Sequence, residues 1–189
     1  RQPYPFYDAY SYLPNLEFGG RDTLNLELGY IERAQVINAE DFETSNRFEE
    51  SSTSTATIAR TENLNWVIEG DASGLIQLTS TEEVMISNTN EQQFNLTTSG
   101  PVWLELDYAC DQPFWLGLKV ANSETAQRYP ILLLKSTELN PNKIYLDLGP
   151  MVRSTPDATH YEILLDAIYD GSQDTTTVIV DNFKLVRYP

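Results

Sequence analysis

A chain of 189 residues can bury the core of one domain and is too short for two large ones. Twelve Lys and Arg against 28 Asp and Glu leave a formal charge of −16, which repels phosphate backbones and anionic headgroups and so argues against nucleic acid and membrane surfaces as partners. The single cysteine, Cys110, excludes an internal disulfide, and no apolar run reaches the roughly 20 residues of a membrane helix.

The chain opens at Arg1 rather than Met, so the expectation is a trimmed or processed product, from which any export signal could have been removed. Residues 1–22 hold four Tyr, two Phe and three Pro without a helical or strand period. They read as an extended aromatic arm ahead of a domain spanning 23–189, with the rings expected to lie on that domain. Leu24, Leu26 and Leu28 alternate with Asn25 and Glu27 as a first strand, and Ile31–Ile37 continues as a second. Residues 43–57, rich in Ser, Thr and Glu, read as a loop. Short strands follow at Trp66–Glu69, Leu75–Thr79, Val84–Ser87 and Gln93–Leu96, separated by turn residues such as Gly70-Asp71-Ala72-Ser73-Gly74 and Asn88-Thr89-Asn90.

The clearest pattern lies between Pro101 and Asn122. Leu104, Leu106, Tyr108 and Cys110 alternate with Trp103, Glu105, Asp107 and Ala109; then Phe114, Leu116, Leu118 and Val120 alternate with Trp115, Gly117 and Lys119. Two strands joined by Asp111-Gln112-Pro113 are expected to pair as a hairpin. The three-residue loop preserves side-chain parity, setting Cys110 opposite Phe114, Glu105 opposite Lys119 and Asp107 opposite Gly117. Strands at Ile131–Lys135, Ile144–Leu148, Tyr161–Ala167 and Thr177–Arg187 complete the chain, and Thr155–Tyr161 is the one stretch with a weak helical reading. About ten short strands without interleaved helices predict an all-β antiparallel β-sandwich, and at this length a jelly roll.

Asn38-Ala39-Glu40-Asp41-Phe42-Glu43 resembles the N-x-x-x-F-E opening of carbohydrate-binding jelly rolls with a galactose-binding-like fold, and Val180-Asp181-Asn182-Phe183-Lys184-Leu185 resembles their closing I-D-N-V-x-L strand. Trp66 with the Gly70–Gly74 turn, followed by the Trp103–Asp107 strand and Gln112-Pro113-Phe114, is similar to uncharacterised surface lipoproteins of Bacteroidota that carry such a module. The resemblance spans about residues 36–188. It implies an extracytoplasmic module at the cell surface or in the periplasm, lipid-anchored through a segment outside this sequence. It also implies one structural calcium between first and last strands, with Glu43 and Asp181 as ligands. Glu40 and Asp41 could add oxygens toward the six to eight that calcium takes.

A sugar needs an exposed aromatic face flanked by groups that bond its hydroxyls. The expected hairpin's outer face offers Trp103, Trp115, Glu105, Asp107 and Lys119 together, with Trp66 and Tyr129 as loop-borne candidates. Against a glycosidase, Glu105 and Asp107 stand two apart on one strand, but the positions where a third acid is needed are Ala109 and Cys110. The only histidine, His160, has no metal or triad partner at ligand spacing. The expectation is therefore a non-catalytic binding or accessory module with polysaccharide or another glycan as its ligand. A structural or protein-interaction role at the surface is the alternative, and a glycoside hydrolase or lyase the distant one.

Overall fold

The computed structural model describes residues 35–50, 57–79, 83–88, 96, 100–121, 126–169 and 171–187. The aromatic arm, the expected strand over Leu24–Leu28 and all of Gln93–Leu96 except Leu96 lie outside them. Eleven strands and one short helix are present among the described residues: β1 Gln35–Glu40, β2 Phe48–Glu50, β3 Ile58–Thr61, β4 Ser73–Leu78, β5 Glu83–Asn88, β6 Val102–Cys110, β7 Phe114–Ala121, β8 Ala126–Leu134, β9 Asn142–Asp147, α1 Gly149–Ser154, β10 His160–Ile168 and β11 Thr176–Arg187. One sheet runs β3-β4-β11-β6-β9 with β1 added along β11, the other β2-β5-β10-β7-β8, and every pairing is antiparallel. This is the expected jelly-roll sandwich.

The core lies between the sheets and follows the sequence alternation. Leu104, Leu106, Val178, Val180 and Leu185 from the first sheet face Leu116, Leu118, Ile163 and Leu165 from the second, all at least 99 % buried. Each such side chain contributes about 1.5–3 kcal/mol by leaving water. The cross-sheet contact of Tyr108 with Phe114, ring centres 5.8 Å apart and edge to face, closes one end.

The hairpin is not formed. β6 pairs with β11 and β9, whereas β7 pairs with β10 and β8. Alternation fixes which side chains face the core, and two strands on opposite sheets satisfy it as well as two neighbours do. Asp111-Gln112-Pro113 is a corner between layers: the Asp111 N–H donates to Thr177 O (3.1 Å), and Asp111 Oδ1 accepts from the Thr177 N–H (2.8 Å). Glu105 therefore pairs with Lys143 rather than Lys119, and Asp107 sits opposite Asp181 and Lys143 rather than Gly117.

Three further expectations change. Residues 66–69 form a loop because their amides bond to side chains: Ile68 N–H to Ser73 Oγ (2.9 Å) and Glu69 N–H to Asp181 Oδ2 (3.3 Å). Residues 48–50, read as loop, form β2 beside β5. The helix occupies 149–154, before the stretch expected to carry it. Pro150 suits a first helical turn, and Pro156 disfavours helical angles at Thr155, where the helix stops.

Candidate functional site

The five residues expected to share one binding face are divided between the two outer surfaces of the sandwich. Trp103, Glu105 and Asp107 point outward from the first sheet; Trp115 and Lys119 point outward from the second. Trp66 lies half-buried in the loop before β4, whose end is bonded to the first sheet through Glu69.

On the first sheet the polar groups neutralise one another. Lys143 Nζ lies 2.9 Å from Glu105 and 3.4 Å from Asp107. Burial pushes its ammonium down, but the Glu105 hydrogen bond and the charges of Glu105 and Asp107 outweigh that and hold it above the usual lysine value. Beside this pair, β11 carries a bulge. Asn182, in a left-handed conformation (φ 47°), inserts one residue, so that both Val180 and Phe183 face the core. Asn182 Nδ2 donates to Glu69 Oε2 (2.7 Å) and Asp107 Oδ2 (2.9 Å). Asp181, 1 % exposed, accepts from Ser73 Oγ (2.7 Å) and from the N–H groups of Glu69 and Asn182. Burial raises its carboxyl, the three hydrogen bonds pull it back down, and the Asp107 charge adds to the rise.

The first and last strands do lie side by side, as a calcium between them requires. The carboxylates nevertheless turn to protein donors. Glu43 accepts from Asp71 N–H (3.0 Å) and Ala72 N–H (3.4 Å), and Glu40 accepts from Phe42 N–H and Arg47 N–H, both at 2.8 Å. The Glu43 contact needs Gly70: its φ is 67°, and a Cβ there would fall 2.0 Å from Glu43 Oε1. The carbonyls of Phe42 and Glu43 are taken by the Arg60 guanidinium, through Nε and Nη2 respectively. No cluster of three or more metal-ligating side chains occurs among the described residues. Glu43 and Asp181 serve the same loop from two sides and do not fit a calcium cage. Arg60, whose role sequence reading missed, supplies a positive charge to that loop.

The second sheet's outer face is organised in rows. Trp115, 38 % exposed, pairs across to Leu133, 44 % exposed, on one side and to Asp166 on the other. In the middle row Gly117 has no side chain and Leu164 is buried, so Pro130, opposite Gly117, is its exposed member. The third row is Arg128–Lys119–Glu162, with Lys119 Nζ 2.8 Å from Glu162 Oε2. Trp115 and Lys119 are four residues apart on β7, about 13 Å along the strand. Leu133, Asp166, Glu162 and Arg128 were missed in the sequence. Each occupies an outward position in its strand's alternation, but nothing local says that β8 and β10 flank β7. Tyr129, farther along β8, lines a separate cavity of about 170 Å³ with Gln127, Ser154 and Asp157.

Cys110 is fully buried, and burial raises its thiol, which suits a packing residue rather than a nucleophile. His160 Nδ1 lies 3.1 Å from Thr159 Oγ1. No helix among the described residues is long and apolar enough to cross a membrane.

No protein-family model matches the sequence, and no curated protein does. Solved structures do match the fold. The CBM22-1 xylan-binding domain from Paenibacillus barcinonensis Xyn10C superposes with a TM-score of 0.58 at 11% identity, covering 82% of this chain and 95% of that one. The CBM22-2 xylan-binding domain of the same protein gives 0.57 at 13% identity, over 80% and 99% of the two chains. The C-terminal family 22 carbohydrate binding module of Clostridium thermocellum Xyn10B gives 0.53 at 11% identity, over 80% and 93%. At these identities the likeness is one of fold.

Proposed function

We propose that this domain is a non-catalytic, glycan-binding module whose ligand lies along the outer face of the second sheet. The observation that carries the reading is the exposed Trp115–Leu133 pair with Asp166 beside it. Such a pair gives a flat apolar platform for the C–H face of a sugar ring, next to an acceptor for its hydroxyls. Lys119, held by buried Glu162, and Arg128 place cationic donors about 13 Å farther along β7, which suits a short oligosaccharide stretch rather than a single sugar. The first sheet fits less well, because Glu105, Asp107 and Asp181 are engaged by Lys143, Asn182 and Ser73. Three neighbours in fold are named for carbohydrate binding, two of them for xylan, which makes β-linked polysaccharides the first ligands to try. Xylan, named for two of these neighbours, lies outside the cytoplasm, which supports reading the domain as an extracytoplasmic module.

The test is affinity electrophoresis of the purified domain in gels containing xylan, glucans, mannans and galactans. Retardation by at least one polymer, abolished by Trp115→Ala and kept by Trp103→Ala, is the expected result. Retardation that survives Trp115→Ala but is lost in Trp103→Ala would move the site to the first sheet. Free migration in every gel would end the glycan reading and turn the Trp115–Leu133 patch toward a protein partner.

A further inference from the structure

The platform on the second sheet continues past the edge of β8. Leu133, its aliphatic member, also lines a cleft of about 560 Å³ where β8 runs out into the loop over residues 135–141. That volume lies within the range of small-molecule sites. Leu133 and Pro141 contribute exposed apolar surface above the buried Tyr108 and Leu134, and Lys135, Asn140 and Asn142 contribute polar groups. Tyr108 is buried, and its hydroxyl bonds to the Asn142 side chain. An aliphatic wall beside amide and ammonium groups can take the C–H face and the hydroxyls of a pyranose.

The loop that forms this cleft is held rather than merely present. Glu138 and Leu139 both take left-handed backbone angles, φ 54° and 61°. Non-glycine residues keep such angles only where their surroundings impose them. Here the end of β6 imposes them. The Cys110 carbonyl accepts from Thr137 N–H (2.9 Å) and Leu139 N–H (3.2 Å), and the Cys110 N–H donates to Thr137 Oγ1 (3.0 Å). Asn140 closes the turn, donating to Thr137 O through both its N–H and Nδ2 at 3.0 Å. A ligand entering the cleft therefore does not have to order the loop.

We propose that the cleft is a second sugar subsite, continuous through Leu133 with the Trp115 platform, so that one polysaccharide chain crosses the β8 edge and seats a further unit against Leu133 and Pro141, beside Lys135 and Asn142. This inference rests on the glycan reading above. It is tested by calorimetric titration of xylooligosaccharides from dimer to hexamer, or the matching series from whichever polymer the gels select. The titrations use the wild-type domain and its Trp115→Ala, Lys135→Ala and Asn142→Ala variants. Wild type is expected to gain about tenfold in affinity between trimer and hexamer. The two cleft variants lose that gain while still binding the trimer, and Trp115→Ala loses every length. As a readout independent of any substitution, backbone hydrogen exchange over 135–142 in wild type slows with hexamer and is unchanged with dimer. Equal hexamer binding by wild type and both cleft variants, with exchange at 135–142 unaffected, overturns the subsite and leaves the platform standing. Failure of wild type to bind any length overturns both.

Discussion

Asp181 shows how one residue couples fold and solvent conditions. Its carboxyl is buried among Ser73, Glu69 and Asn182 with the Asp107 charge near it, and burial first of all pushes its pKa above the ordinary 3.8. A carboxyl whose folded pKa is raised holds its proton more tightly in the native state. Its contribution to stability is therefore greatest below the ordinary value and is lost as pH rises through the raised one. Asp181→Asn keeps an acceptor for Ser73 and removes the ionisation. The variant should thus gain stability relative to wild type as pH rises from about 4 through that window. Parallel melts across the window would show this as diverging curves, whereas curves that stay parallel would mean that Asp181 does not titrate there. The sequence marked Asp181 as special through Asp-Asn in a closing strand. It did not show that Asn182 is the bulge that brings Phe183 into the core beside Val180, because a bulge is visible only against the partner strand.

At the scale of elements, the join between β7 and β8 is the tightest constraint on the proposed site. Ile131 is an extra residue on β8, so the register passes from Leu116–Leu132 directly to Gly117–Pro130. A Cβ at Gly117 would lie 2.0 Å from Tyr129 O and 2.9 Å from Pro130 Cα, both backbone atoms. Gly117→Ala must therefore push β8 away from β7, at a cost of about 3 kcal/mol, readable in urea denaturation. Because Leu133 rides on β8, glycan affinity should fall in the same variant even where it is fully folded. A loss below about 0.5 kcal/mol would show that the strand edge yields freely. The same elements show what sequence pattern can resolve. Every core position in β6 and β7 was legible from alternation, since burial has a period of two. Neighbour relations were not, because β7 meets β10 across some forty residues of chain and no local signal carries that pairing. The expected site failed for this reason, with Trp103 and Trp115 correctly turned outward but on different sheets.

For the whole molecule, the first loop decides whether metal matters. Arg60 on the carbonyls of Phe42 and Glu43, with Glu43 on the amides of Asp71 and Ala72, joins the first strand's exit to the turn before β4 through protein groups. A structural calcium at a hundred times its dissociation constant would add about 2.7 kcal/mol to stability, a shift that melting detects readily. The expectation is that EDTA and millimolar calcium give the same melting temperature, while Arg60→Ala lowers it in both. A saturable rise with calcium would reinstate the metal. A final consequence follows from β11, which lies between β6 on one side and β4 and β1 on the other although it is the last strand of the described chain. The first sheet has no middle until that segment exists. A chain emerging from the ribosome holds β4, β6 and β1 with open edges until Thr176–Arg187 has been made, so the first sheet cannot close before that segment exists, and truncation before Thr176 would leave strands prone to pairing with other copies.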